Sequence, residues 1–402
     1  MPPPPRYGSP PGRRRPPKIV LVLTRRPLVA VLGLLLVVGI VVAGVLATSG
    51  SGKSYNSAAA FNDHLPGIVD RRSSFSVVNE NRTGVPCAPT KPDRKRYVVH
   101  ASLVAPASAL ATRPRAVVVL ISGIIISGDH LWRVRIGGST DLDFALAMAL
   151  RGQAVVTVGM LGYHGSVTAS GPNGNQVCAA AEADVIHQIV TQLRNGSFHY
   201  GNAATGPSFD RVALMAFSIG GEYAKVEAYT FHDIGGLVTV GSSPPNFVTP
   251  LAAKLAQSSV PDCRSQDRHK FANGSGPPGY TMANIPIAQK VLFYGPDRDP
   301  RDTQLLARGA ETSPCGIFSS GLNLLKADRT GLAKINVPVL LTYGQHDGLV
   351  GIAGGAYQMR LLTGAKDRHL MIFPGSGHAW FLERQRARWT NMVVGWLETR
   401  GL

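Results

Sequence analysis

The first 26 residues contain no aspartate or glutamate, although seven lysines and arginines lie among them. The next stretch, Leu28 to Ala47, contains no charged or strongly polar side chain. Cysteine is scarce at four residues, and none is placed directly after that apolar stretch, which argues against a lipid-modified cysteine as an anchor. No two cysteines stand in C-x-x-C spacing and no histidine cluster accompanies them, so a metal site is not expected. Aromatic residues make up 7%, and no basic run is interleaved with them in the manner of a nucleic-acid-binding surface. There are no internal repeats.

What is present divides the 402 residues into a leader and a globular part. Residues 1–27, rich in proline and arginine, have almost nothing to bury and read as a disordered tail. Residues 28–47 match the roughly 20 helical residues that cross a bilayer core. Arg25 and Arg26 stand at the front edge, so the positive-inside rule keeps the N-terminus cytoplasmic and exports the rest, giving a single-pass protein of the cell membrane. The competing reading is a signal peptide cleaved near Ala47 and a secreted product; an h-region of about 7–15 residues is shorter than this run. Residues 48–60 read as a flexible tether and 61–402 as the folded domain. The formal charge is +17, of which about +10 falls outside the leader, scattered in a way that suits a solvated surface drawn to anionic lipid.

All four cysteines lie in the exported part, where an even count suggests disulfides. Three pairings are open. The one taken forward is Cys87–Cys178 with Cys263–Cys315, because the second bond staples a single inserted region; four buried free thiols are the remaining reading.

Strand and helix signals alternate after the tether, as in a mostly parallel, doubly wound α/β sheet. Arg96–Val104 looks like an edge hairpin strand. Ala116–Ile121, Ala154–Val158, Arg211–Phe217, Leu237–Val240, Val337–Tyr343 and His369–Phe373 look like the parallel strands. Helices are expected over Asp141–Leu150 and Cys178–Leu193, and a closing helix carries Trp389, Met392, Val393, Trp396 and Leu397 on one face. Residues 244–335 break the rhythm with proline, glycine and charge and read as a helical or irregular cap insertion.

Chemistry concentrates at strand ends. Ser218 ends Arg211–Phe217 in the sequence A-F-S-I-G-G, a variant of G-x-S-x-G with Ala216 as its first small residue. Asp347 follows the next-to-last strand in Gly344-Gln345-His346-Asp347, and His378 follows the last in Gly375-Ser376-Gly377-His378. A serine hydroxyl is a weak nucleophile until an imidazole takes its proton. A carboxylate then fixes the imidazole tautomer, and backbone N–H groups must meet the oxyanion. Ile219, the residue after the serine, offers one N–H, and the loop after Ala116–Ile121 offers another from Ile124.

In these motifs and their order the chain resembles the α/β-hydrolase fold family over roughly residues 95–402. The resemblance implies a nucleophile elbow at Ser218, an acid at Asp347 and a base at His378, with no cofactor. Ser122-Gly123 stands where many members have His-Gly, and Gly162-Tyr163-His164-Gly165-Ser166 resembles the family's loop after the following strand. The expected function is hydrolysis of a carboxylic ester through an acyl-enzyme, with a small-molecule or lipid-like substrate suggested by Ile124-Ile125-Ile126 and the bilayer anchor. The alternatives are an inactive binding protein on this fold, a peptidase, thioesterase or acyltransferase on the same triad, and a cofactor-free peroxidase-like activity. His130 and His164 are read as structural, His346 as a surface residue and Trp132 as packing.

Overall fold

The strand that ends at Ser218 shows how the sheet is built. Along β6 (Arg211–Phe217), Val212, Leu214 and Ala216 enter one apolar core, while Ala213, Met215 and Phe217 enter another. Successive side chains of a strand point to opposite faces, so a continuous apolar run belongs to a strand covered on both sides. β3 (Ala116–Ile121) divides its residues in the same way, Val117, Val119 and Ile121 on one face and Val118 and Leu120 on the other. Each such side chain withdrawn from water contributes about 1.5–3 kcal/mol before chain entropy is counted.

The structure is a computed structural model. It describes residues 65–163, 171–245 and 311–402 without a break, and shorter stretches between 249 and 309. The leader, the apolar run 28–47, the tether and His164 lie outside the described residues. Among those described, no helix is long and apolar enough to cross a membrane.

Among the described residues the main sheet has nine strands in the order β13-β12-β7-β6-β3-β4-β2-β1-β5. β3, β4 (Val155–Val158), β6, β7 (Gly236–Val240), β12 (Val339–Gly344) and β13 (Arg368–Phe373) run parallel to their neighbours in that half. β1 (Ile68–Val78), β2 (Arg96–Pro106) and the short β5 (His199–Tyr200) extend it antiparallel. The sheet is thus mostly parallel in its site-bearing half, as expected. β2 is not an edge strand, however: it lies between β4 and β1. β1 escapes a search for apolar runs because Asp70, Arg71, Arg72, Ser73 and Ser74 interrupt it.

Helices Ala179–Asn195 and Ile219–Phe231 cover one face. Helices Phe144–Ala149 and Arg386–Glu398 cover the other. In the last of these Trp389, Val393, Trp396 and Leu397 are buried as expected, but Met392 faces solvent at 43% exposure.

Among its described residues, the stretch 244–335 contains two short antiparallel pairings and helices rather than featureless chain. β8 (Arg268–Phe271) pairs with β9 (Gly274–Pro278), and β10 (Tyr280–Met282) with β11 (Thr312–Pro314). Helices Ile285–Leu292 and Asp302–Gly309 lie between them. Its last helix, Cys315–Gly331, belongs to the main domain instead of a cap: Ile317 and Leu324 join the core of the Ala179–Asn195 face, and Asp328 pairs with Lys225 of the helix after Ser218 at 2.7 Å. The sulfurs of Cys87 and Cys178, and of Cys263 and Cys315, are bonded, with Cα separations of 5.6 and 5.5 Å. That is the pairing taken forward from the sequence.

Candidate active site

Ser218 occupies the corner between β6 and the helix Ile219–Phe231, with φ 57° and ψ −132°. Such a conformation costs a non-glycine residue about 1–3 kcal/mol and persists only where its surroundings impose it. Here the Ser218 N–H donates to Val240 O at 2.8 Å, and the small neighbours permit the approach of other chain. A Cβ on Gly220 would run into the Ser122 carbonyl, and one on Gly123 would lie 2.8 Å from Ser218 Cβ. Ala216, the departure from the usual glycine, is fully buried with its methyl group in the core.

Asp347 and His378 are both buried, and His378 Nδ1 lies 2.8 Å from Asp347 Oδ2. The other carboxylate oxygen accepts the Leu349 and Val350 N–H groups, each at 3.0 Å. A carboxylate oxygen accepts, so Nδ1 carries the proton and Nε2 keeps its lone pair. Among the described residues Nε2 is buried without a hydrogen-bond partner. The imidazole lies against the Phe217 ring, with centroids 4.8 Å apart, next to the serine in sequence. It also fills the space beside Gly241, where a Cβ would stand 2.6 Å from Nδ1 and 2.9 Å from Asp347 Oδ2. Gly241 directly follows Val240, the backbone partner of Ser218. The predicted serine, acid and base are thus brought to one corner, between Phe217-Ser218 and Val240-Gly241. No hydrogen bond joins Ser218 Oγ to Nε2 among the described residues; such contacts are often long before a substrate binds.

The two expected oxyanion donors flank the serine. Ile219 N–H is the first of its helix, where no intrahelical acceptor exists. Neither it nor Ile124 N–H donates to an acceptor among the described residues. Ile124 is half-buried, whereas Ile125 and Ile126 are core side chains. Ile125 has φ 83° and is gripped from the inserted stretch: its carbonyl accepts Glu311 N–H at 2.6 Å and its N–H donates to Ser313 Oγ at 3.3 Å. Glu311 also pairs with His130 at 2.7 Å, which gives that histidine a structural place. Trp132 is fully buried and stacks on Phe381 at 4.6 Å.

Several supporting residues were not visible in the sequence. Glu383 is buried and both its oxygens accept the Gly377 N–H, at 2.9 and 3.0 Å, fixing the loop that carries His378. Burial pushes its carboxyl up to about 7. Trp389 Nε1 donates to Ser376 Oγ at 3.1 Å, and His346 N–H to Ser376 O at 2.8 Å. His346 is half-buried and, with Phe293, Gly295, Pro296 and Arg298, lines a cleft of about 400 Å³ on the outer side of that loop. In the first turn of the serine helix, Glu222 accepts Ser243 N–H, and burial pushes its carboxyl up to about 7 as well. Lys225 donates to Ser243 O at 3.0 Å and to Gln358 Oε1 at 3.1 Å. No local motif marks these residues, because their partners are remote in sequence.

No protein-family model and no curated protein matches the sequence. Solved structures do share its architecture. An esterase from Thermogutta terrifontis superposes with a TM-score of 0.52 at 14% identity, covering 81% of this chain and 98% of that one. An esterase from Exiguobacterium antarcticum gives 0.51 at 17% identity, over 75% and 96% of the two chains. A bacterial membrane phospholipase A gives 0.50 at 16% identity, over 92% and 98%. The chain has the α/β-hydrolase fold.

Proposed function

We propose that this chain is an exported, membrane-anchored serine hydrolase that cleaves carboxylic esters, with Ser218, His378 and Asp347 as its catalytic triad. The observation that carries the reading is the buried His378–Asp347 pair, its Nε2 left unpartnered among the described residues beside a serine held at φ 57°. His378 Nε2 removes the Ser218 proton as Oγ attacks the ester carbonyl. Asp347 holds the ring and stabilises the imidazolium. The Ile219 and Ile124 N–H groups receive the developing oxyanion. The imidazolium then protonates the leaving alcohol, and a water activated by the same nitrogen hydrolyses the acyl-enzyme.

The solved structures named as esterases and a phospholipase support ester chemistry at the level of fold. The apolar run Leu28–Ala47 behind its basic leader supports placement at a bilayer, with an acyl or lipid-like substrate within reach. The test is a series of p-nitrophenyl and glycerol esters of increasing acyl length, offered to the wild type and to Ser218→Ala. Turnover that rises with chain length and vanishes in the variant is expected. Equal turnover by both proteins, or none by the wild type on any ester, contradicts the reading.

A further inference from the structure

The helix Ile219–Phe231 carries Ser218 at one end and, at the other, a set of side chains with no part in the reaction above. Glu227 is fully buried; neither of its carboxyl oxygens meets an N–H or hydroxyl donor among the described residues, and its carboxyl lies within hydrogen-bond reach of the Asp233 carboxyl. Asp233, just past the left-handed cap residue His232, faces it and has one buried oxygen in the same condition. His187, from helix Ala179–Asn195, places Nδ1 2.8 Å from the other Asp233 oxygen. Its ring is held flat on Phe231, with centroids 3.8 Å apart. One ligating atom from each of His187, Glu227 and Asp233 lies within 4.8 Å of the other two.

Two carboxylates facing each other out of water need a positive partner or a proton. The charge count suits a divalent ion: two carboxylates and a neutral imidazole sum to about −2. The end of the helix suits it too, because the last carbonyls leave partial negative charge there. Ligand bonds of about 2.0–2.2 Å in a tetrahedral zinc site separate the ligands by roughly 3.3–3.5 Å. That spacing falls between the 2.8 Å contact and the 4.8 Å outer limit seen here. A mixed nitrogen and oxygen set favours zinc-type ions over calcium or magnesium, which take oxygen ligands. An entry path exists, since the His187 and Asp233 side chains are 22% and 21% exposed. Arg194 donates to the Asp233 backbone carbonyl at 2.6 Å and adds positive charge beside that carboxylate, and Arg82 pairs with Asp184 at 2.6 Å.

We propose that His187, Glu227 and Asp233 bind one divalent cation of the zinc type, bracing helix Ala179–Asn195 against the end of the serine helix remote from Ser218. This departs from the sequence expectation of no metal, which rested on the surroundings of the cysteines. Three residues spread over 187–233 in no known spacing give a sequence search nothing to find.

The test uses the full chain without a polyhistidine tag, stripped with a chelator and titrated with Zn²⁺ or with Co²⁺, whose visible spectrum reports coordination. A single equivalent is expected to bind and to raise Tm. Glu227→Gln and Asp233→Asn should each weaken binding by at least about tenfold, since even partners outside the first ring of ligands are worth about 10–100-fold. Should Glu227→Gln fail to fold, His187→Ala, at a partly exposed position, must show the same loss. Absence of binding by the wild type at millimolar metal, or unchanged affinity in the variants that fold, overturns the proposal. So does a Glu227→Gln protein as stable as the wild type in the presence of zinc, which would mark a proton shared by Glu227 and Asp233.

Discussion

The sheet and the inserted stretch hold their functional parts in different ways. β6, β12 and β13 deliver Ser218, Asp347 and His378 from strands packed by apolar side chains, so the corner is set by the core itself. The insertion lends Leu292, Phe293, Leu305 and Leu306 to the core on the Arg386–Glu398 face, and adds backbone contacts and charge. Leu292 O accepts Ala379 N–H at 3.1 Å and Asp297 N–H donates to Gly375 O at 3.1 Å, both at the histidine loop. Glu311 and Ser313 grip Ile125 at the oxyanion loop. Arg301 and Arg386 clamp Asp141 and Asp299, with Arg301 at 2.8 and 2.7 Å. The contrast teaches that strand ends place the proposed serine, acid and base, while the insertion grips the two loops beside them from outside the sheet.

The largest effect that would sharpen this contrast is expected at the core-set corner. Asp347→Asn should leave the fold intact and lower kcat by about 10⁴-fold, because the imidazole loses its tautomer and its countercharge. Steady-state kinetics beside a thermal melt checks it; a loss of activity matched by loss of fold would break the distinction. Next comes the helix Cys315–Gly331, where the chain returns from the insertion to the main domain. Asp328 and Lys225 form a buried pair, so Asp328→Ala strands a buried ammonium and should destabilise by about 3–5 kcal/mol in denaturant melts.

The pH dependence of stability follows. Burial raises the Glu222 and Glu383 carboxyls from an ordinary 4.5 to about 7 in the folded chain. The folded state therefore binds more protons than the unfolded chain between those values. Their contribution is fully present below pH 4.5 and is lost as pH rises through about 7, by at most about 3 kcal/mol for each carboxyl. Chemical denaturation at pH 5 and pH 8 should show this fall, and Glu222→Gln should flatten it. The smallest effect belongs to the ionic clamp. Arg301 is partly exposed, so Arg301→Ala should cost less than about 1 kcal/mol and should matter less as salt is added. A larger, salt-independent loss would mean that the insertion is as firmly built as the sheet.

The same contrast explains what could be read from the sequence. Buried strands announce themselves as apolar runs, and the order of Ser218, Asp347 and His378 at the ends of three of them singles out these residues as the proposed triad before any coordinates exist. β1 hides because the polar run Asp70-Arg71-Arg72-Ser73-Ser74 breaks its apolar pattern on both faces, and Cys315–Gly331 hides because the proline- and glycine-rich chain before it masks the return to the main domain. Glu383, Glu222 and the Lys225–Asp328 pair are defined by partners that only folding brings near. Met392 fits the apolar stripe of its helix by spacing, yet it lies at the margin where that helix turns to solvent.

The most direct measurement is to treat the intact chain with a fluorophosphonate and map the adduct by mass spectrometry. The account predicts a single adduct on Ser218, absent in Ser218→Ala and strongly slowed in His378→Ala. An adduct on another residue, or a Ser218 that stays unmodified while the protein still turns over esters, would contradict it.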